Sequence, residues 1–450
     1  MKNVEPRRFA PLALLEASTL LSATGNGIAM VALPWLVLER TGSPAAAGLV
    51  AAATALPLLV AGLFAGVLVD RVGRVRTAVV SDVLSGLSVT AIPLVDAVGG
   101  LTVPVLVGLA VLGAVIDPAG MTARETLLPG AATAARWRLE RVNGVHEAVF
   151  GVAFLVGPGL GGALIATVGA SGTLWATAVG FGLSVLLVAA VRLPGSGRPI
   201  TTGEPVAGVW HSTVEGVSFV WNDRLLRTIA LLTMALVSLY LPVEGVILPA
   251  EFVAQSAPER LGLVVMAMSA GGVVGALLFG AVGHRVRRRT AFLVAVVGAC
   301  AALVGMATLP PYPALVATAV LVGLLYGPVN PLANHAMQTR TPERLRGRVV
   351  GVMTSAAYAA GPVGYLLAGA LVEWFGVRPA FLTMAGALLV AALAAVPARS
   401  LKGFDAVPTV VPPAAVRSAD PARHDGQRPV FSGRTAGDAA EGAASPGEGP

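Results

Sequence analysis

A single cysteine, Cys300, occurs in the whole 450-residue chain, which excludes an intrachain disulfide framework and a cysteine-based metal cluster. Charge is scarce as well: Asp, Glu, Lys and Arg make up 12% of residues, against about 25% in soluble domains. No G-x-x-x-x-G-K-[ST] segment is present, so the phosphate cradle of a P-loop ATPase is missing. His146 and His335 are too far apart to form a metal motif. We therefore expect no enzyme, no cofactor and no metal site. Lysine is nearly absent, with 2 against 29 arginines, and the abundance of Ala, Gly and Val points to GC-rich coding DNA and a bacterial source.

What the chain has instead is apolar length. Hydrophobic residues make up 55% of it, in runs of about 20 residues, each long enough to cross a bilayer as a helix. Twelve such spans are expected, at about 12–38, 45–69, 77–97, 101–122, 145–168, 172–193, 225–250, 261–283, 290–309, 313–336, 349–372 and 378–397. The first run is too long for a signal-peptide core and lacks a clear cleavage site, so it is expected to remain as span 1.

The net charge of +7 suggests a nucleic-acid partner only if its distribution is ignored. With a cytoplasmic N-terminus, 28 of the 31 Lys and Arg residues fall on inner segments, leaving Arg40, Arg260 and Arg378 in outer loops. Such an asymmetry is how cytoplasmic loops are marked, so both termini are expected inside a bacterial cytoplasmic membrane, with lipid and not nucleic acid as the surrounding partner. Most basic clusters need no further explanation than this.

The longest break, residues 194–224, divides the spans six and six: a first bundle over 1–193, a cytoplasmic linker with an interfacial helix, and a second bundle over 225–398. The helix is expected because Trp210, Val214, Val217 and Trp221 recur at helical spacing. Residues 399–450, rich in Pro, Ala, Gly and Ser, are expected to be disordered. The halves also echo each other. DPAGMTARETLLP (117–129) matches NPLANHAMQTRTP (330–342) at an offset of 213, and GVLVDRV (66–72) matches GAVGHRV (280–286) at 214. Repeats of this kind underlie many transporter folds.

The charge-dense stretch after span 2 carries Gly66, Asp70, Arg71, Gly73, Arg74 and Arg76. Arginines there suffice as topology anchors, and Asp70 is the group that this leaves unexplained. Span 5 carries Gly157, Pro158, Gly161 and Gly162, with Gly144 and Ala153 upstream: proline kinks the helix, and glycines let another backbone approach. The first set resembles the loop 2–3 signature of the major facilitator superfamily. The second resembles that family's export signature, G-x8-G-x3-G-P-x2-G-G, with Ala153 in place of the second glycine.

Over residues 10–400 the chain is similar to the branch of enterobactin exporters and macrolide-efflux proteins, on LPWLVLERTGSPAAAGL, RETLLPGAATAARWRLERVNG, EGVSFVWNDRLLR and TPERLRGRVVG. The resemblance implies an all-α membrane protein of two pseudo-symmetric six-helix bundles. It also implies that Asp70 latches onto the start of span 11, near Arg348 to Gly351, when the cytoplasmic side closes. His284 stands where the second copy would have its acid. Asn26 replaces an acid found in span 1 of many relatives, and span 4, taken to end at 122, lacks the arginine common in proton-driven drug exporters.

An ionisable side chain inside a span is a functional candidate, because it is costly unless wet or paired. Glu244, flanked by prolines in span 7, and Asp117 in span 4 are candidate proton or cation-substrate groups; Asn26 is a candidate substrate contact, with Trp35, Tyr240, Tyr358 and Asn330 as cavity partners. Glu16, Asp82 and Glu147 are expected near the cytoplasmic interface, where water solvates them. The resulting expectation is a monomeric secondary transporter that exports small amphipathic molecules by alternating access in exchange for protons. A nutrient symporter, or a membrane sensor with a transporter-like fold, is the alternative.

Overall fold

The computed structural model describes residues 8–193, 207–342 and 345–404, with side chains 58–64, 66, 67 and 207–212 also left aside. The expected linker segment 194–206 and tail 405–450 lie outside the described residues. Fifteen α-helices and no strand occur among the described residues. In the first half they are α1 (Ala10–Thr41), α2 (Pro44–Val72), α3 (Arg74–Ala97), α4 (Val103–Ala114), α5 (Asp117–Ala135) and α6 (Leu139–Ala189). After α7 (Ala207–Asn222) the second half comprises α8 (Arg224–Pro242), α9 (Leu248–Ala254), α10 (Pro258–Val282), α11 (Arg288–Ala307), α12 (Tyr312–Tyr326), α13 (Val329–Arg340), α14 (Arg346–Phe375) and α15 (Val377–Ala395).

Ten helical segments are long and apolar enough to cross a membrane. The 51-residue α6 is two spans joined at Gly169, whose φ of 75° only glycine adopts readily. With its two arms separated and α2 added, twelve spans emerge, six in each half. Gly73 (φ 98°) makes the corresponding sharp break between α2 and α3. Two helix starts are capped by a side chain. Ser43 accepts the Ala46 N–H at the start of α2, and Asp223 accepts those of Leu225 and Leu226 at the start of α8.

The internal repeat has a structural counterpart. Span 4 is broken at residues 115–116, between α4 and α5, and span 10 at 327–328, between α12 and α13. The first break directly precedes Asp117-Pro118 and the second lies one residue before Asn330-Pro331 in the 213-residue match. Proline at the start of a helix loses no hydrogen bond, so each segment restarts helix there.

Span 4 differs from the expectation. It continues through α5 to Ala135, 13 residues past the predicted end at 122. The polar stretch RETLLP beyond the expected end is helix, with Arg124, Leu127 and Leu128 buried against the bundle. Tertiary packing of its inner face outweighs the loss of continuous hydropathy. At the chain's far end Arg399–Phe404, read as the start of the tail, form a 3-10 turn. Its Leu401 and Phe404 are buried, and Phe404 meets Phe292 at 5.2 Å between ring centroids.

Candidate functional site

The end of the molecule that carries the basic loops is called the basic end here, and the other the sparse end. At the sparse end the two halves are locked backbone to backbone. A Cβ added at Gly162 of α6 would lie 2.9 Å from the Cα of Gly262 in α10; one added at Gly48 of α2 would lie 3.1 Å from that of Gly369 in α14. Only glycine permits such approaches without displacing one helix. Glu373 of α14 adds a polar clasp: it accepts hydrogen bonds from the Ser43 hydroxyl (2.9 Å) and the Ala45 N–H (3.1 Å) at the start of α2. A carboxylate there also faces the positive end of the helix dipole.

The glycine-proline helix therefore works on two faces. Gly157 and Gly161 pack against Gly27 and Ile28 of α1, whereas Gly159 and Gly162 meet Met266 and Gly262 of α10. Ala153 is fully buried, with its carbonyl against Gly27, so alanine fits where the export signature has glycine. Gly144 departs from this pattern, having nothing within 4 Å of an added Cβ.

Between these crossings and the basic end, the first half holds a buried polar network. Asp82 of α3 is 1% exposed and Arg124 of α5 4% exposed, paired at 2.5 Å. The Ser22 and Ser184 hydroxyls donate to the two Asp82 oxygens at 2.9 and 2.6 Å, tying α1, α3, α5 and α6 together. His146 Nδ1 lies 3.2 Å from a Glu16 oxygen, and both residues are buried. The Asn26 amide donates to both Asp117 oxygens at 3.2 and 3.4 Å, so these two candidates come together, 91 residues apart in sequence. Asn26, Asp117, Arg124, Glu125, His146, Phe150 and Phe154 share the wall of a cavity of about 110 Å³.

This arrangement corrects two expectations. Asp82 and Glu16 are not solvated at an interface; a buried carboxylate persists because it is paired and hydrogen-bonded. Nor does span 4 lack an arginine. Arg124 occupies its extension, missed because the hydropathy run stops at 122.

Glu244 lies apart from that network. It sits in a π-helical turn (Val243–Ile247) between α8 and α9, buried, with Pro242 before the turn and Pro249 after it. The turn packs against α1, α2 and α14, where the halves meet. Tyr240, stacked on Tyr326 at 4.6 Å between centroids, is within hydrogen-bonding reach of the Glu244 carboxyl, and the Tyr365 ring lies against Gly245. π-Turns of this kind accompany functional sites more often than chance. Of the residues expected to join a cavity, Trp35 is buried in the apolar core, whereas Tyr358 and Asn330 are exposed.

At the basic end Asp70 and Arg71 close α2, Gly73 makes the break, and Arg74 and Arg76 open α3, while Gly66 lies further back within α2. Among the described residues none makes a hydrogen bond or ion pair with Asp70. Arg348, its expected partner, is engaged instead by Glu215 of α7 in an ion pair. Gly216 of α7 packs against the Arg348 carbonyl and Val352, so the helix between the halves rests on the start of α14.

Twelve spans in two repeated sets of six, the broken spans 4 and 10, and glycine crossings between the sets are matched by sequence. The Major Facilitator Superfamily model aligns with residues 15–246 and 244–432, nearly the whole chain. The chain belongs to the major facilitator superfamily. Within that superfamily it is 47% identical over 401 residues to the multidrug efflux pump Tap of Mycobacterium tuberculosis, covering 88% of this chain and 96% of that protein. It is 27% identical over 356 residues to the enterobactin exporter EntS of Salmonella typhimurium, covering 78% and 83%. Among solved structures, the nucleoside transporter NupG superposes with a TM-score of 0.71 over 88% of this chain and 99% of its own, at 11% identity, a likeness of fold.

Proposed function

We propose that this superfamily member exports drug-like amphipathic molecules from a bacterial cytoplasm in exchange for protons, acting as a monomer. The basic end is cytoplasmic, following the distribution of arginines. The observation that carries the reading is the asymmetry of closure. Glycine crossings and the Glu373 clasp hold the sparse, outer end shut, while Asp70 and Arg348 at the inner end are not paired. That is the arrangement an exporter needs when it loads from the cytoplasm.

Glu244 is the proton carrier in this reading. Its turn touches both halves, so its surroundings change whenever the halves rock, and a change of surroundings is what couples a proton to a conformation. Asn26 and Asp117, in the first half, meet substrate. When the outer end opens, Asp70 takes Arg348 from Glu215 and fastens the inner end. The relatives named as a multidrug pump and a siderophore exporter support the direction of transport.

Sensitivity profiling of a drug-susceptible bacterial host expressing the chain tests this. Protection against at least one amphipathic antibiotic should vanish with a proton uncoupler and with Glu244→Gln. Protection that survives both, at equal expression, contradicts proton exchange through Glu244.

A further inference from the structure

We infer that the basic cavity at the inner end of α10 is a phosphate site, and that a phosphate group held there stands in for an acid the second half lacks, giving the inner end a second, anion-dependent latch. This rests on the alternating closure proposed above and adds to it an element that Asp70 does not supply.

The two halves meet along two helix pairs, α2 with α14 and α6 with α10. The repeat makes these pairs equivalent. At an offset of 214, Gly48 corresponds to Gly262, Asp70 to His284 and Arg71 to Arg285; at an offset of 207, Arg141 corresponds to Arg348, Gly162 to Gly369, and Gly169 to Gly376, both at positive φ. The two glycine crossings are therefore one contact made twice, and the inner end of α10 stands to the start of α6 as Asp70 stands to Arg348. Val142 and Val349, next to the two arginines, are both fully buried, so the two helix starts share a register.

The chemistry of the two inner ends differs. Val69 to Arg76 holds three arginines and one acid, whereas Gly283 to Thr290 holds four arginines, His284 and no acid. Arg289 is engaged, donating to the Val396 carbonyl at 3.1 Å. Among the described residues, the guanidinium groups of Arg285, Arg287 and Arg288 have no hydrogen bond or ion pair. Nor does Arg141 pair with an acid there: its guanidinium lies over the Trp137 ring, 4.0 Å from the centroid. Closure along this helix pair thus brings cation toward cation, at a cost that grows as water is excluded. Positive charge at this end serves topology, but the first copy meets that need with its acid in place.

His284, Arg287 and Arg288, with Gly283 and Val286, line a cavity of about 410 Å³. Guanidinium groups bind phosphate through paired, charge-assisted hydrogen bonds, so a phosphate group fits these donors and presents the missing negative charge to Arg141. Two sources share this chemistry: soluble phosphate, and the head group of an anionic phospholipid in the inner leaflet.

The test uses the full chain in nanodiscs, in a Cys300→Ala background, spin-labelled at Asn143→Cys and Ala281→Cys, exposed positions on either side of this interface. Double electron–electron resonance reads the ratio of short to long distances. In phosphatidylcholine discs and phosphate-free buffer the long distance should dominate. Inorganic phosphate, against chloride at equal ionic strength, or phosphatidylglycerol in the disc without phosphate should raise that ratio about tenfold, as one charge-assisted contact would, and the arm that responds identifies the source. Arg287→Gln combined with Arg288→Gln should abolish the response. Arg192→Gln, which removes a charge elsewhere at the inner end, should keep it. His284→Asp should populate the short distance without phosphate and make it indifferent to phosphate. No response in either arm, a response that survives the paired arginine substitutions, or no gain from His284→Asp overturns the site. So does a fall in the phosphate-free short fraction with Glu140→Gln or Glu147→Gln, because the chain then supplies its own acid. Melting temperatures near wild type establish that the variants are folded. Proton-driven uptake of ethidium into proteoliposomes is measured in parallel. A phosphate response without that uptake removes the export reading and leaves the site standing, whereas uptake with a phosphate-blind distance does the reverse.

Discussion

The two halves share a backbone plan but not a chemistry. Both break their fourth span within one residue of the same point of the repeat, and each offers a glycine to each crossing at the outer end. Yet the first half clasps its helices with a buried ion pair, Asp82–Arg124, where the repeat places Ala295 or Val296 and Met337 in the second. Among its described residues the second half is held by apolar packing around one buried acid, Glu244, among tyrosines. The comparison teaches that the repeat preserves the glycine crossings and the span breaks and lets the buried chemistry diverge.

The sharpest way to break this comparison is to give the first half the residue of the second. Arg124→Met leaves Asp82 buried without its partner, and removal of one member of a buried pair costs about 3–5 kcal/mol. A matching loss of stability is expected in a denaturant titration. Adding Asp82→Ala, which makes both positions apolar as in the second half, should recover most of it, since apolar replacement of a whole buried pair is close to neutral. If the double variant is as unstable as the single one, the clasp is not simply a pair.

Next in size is the shared feature. A side chain at Gly162 meets the Pro258 carbonyl at 2.5 Å, so Gly162→Val should prise α6 from α10 and abolish transport measured in proteoliposomes. Gly144→Ala, at a position with open space, should leave it near wild type. A smaller effect is expected at the polar clasp. Glu373→Gln weakens a charge-to-helix interaction worth about 0.5 kcal/mol, roughly a twofold shift toward the outward-open population. Labelling of an outer-gate cysteine in a Cys300→Ala background reads this population directly, because Cys300 is the chain's sole thiol.

Much of this plan was legible in the residues themselves. Run length and loop charge indicated the spans, Gly157 to Gly162 indicated a close helix contact, and Pro242 with Pro249 marked the disturbed helix at Glu244. The first-half network was less legible. Hydropathy registers the average of a segment, and Arg124 with Glu125 lowers that average although one arginine face is buried. What conceals the network is that its members pair across helices: Arg124 with Asp82, Asn26 with Asp117 and Glu16 with His146 are 42, 91 and 130 residues apart. The signal that points to Arg124 is the second copy of the repeat, where the matched position holds the apolar Met337 one residue past the expected end of span 10. The Glu215–Arg348 pair was hidden in the same way, since the resemblance to other family members directs attention to Asp70 as the partner of Arg348.

The central claim is that the outer crossing and the inner latch close in alternation. Double electron–electron resonance with two spin-label pairs in the Cys300→Ala background tests it: Thr41→Cys with Phe375→Cys at the outer end, and Arg71→Cys with Gly347→Cys at the inner end. The account predicts a short outer and a long inner distance in the resting protein, a subpopulation with the two reversed that Glu215→Gln enlarges, and loss of that subpopulation in Asp70→Asn. Outer and inner distances that vary independently, or that stay fixed in both variants, contradict it.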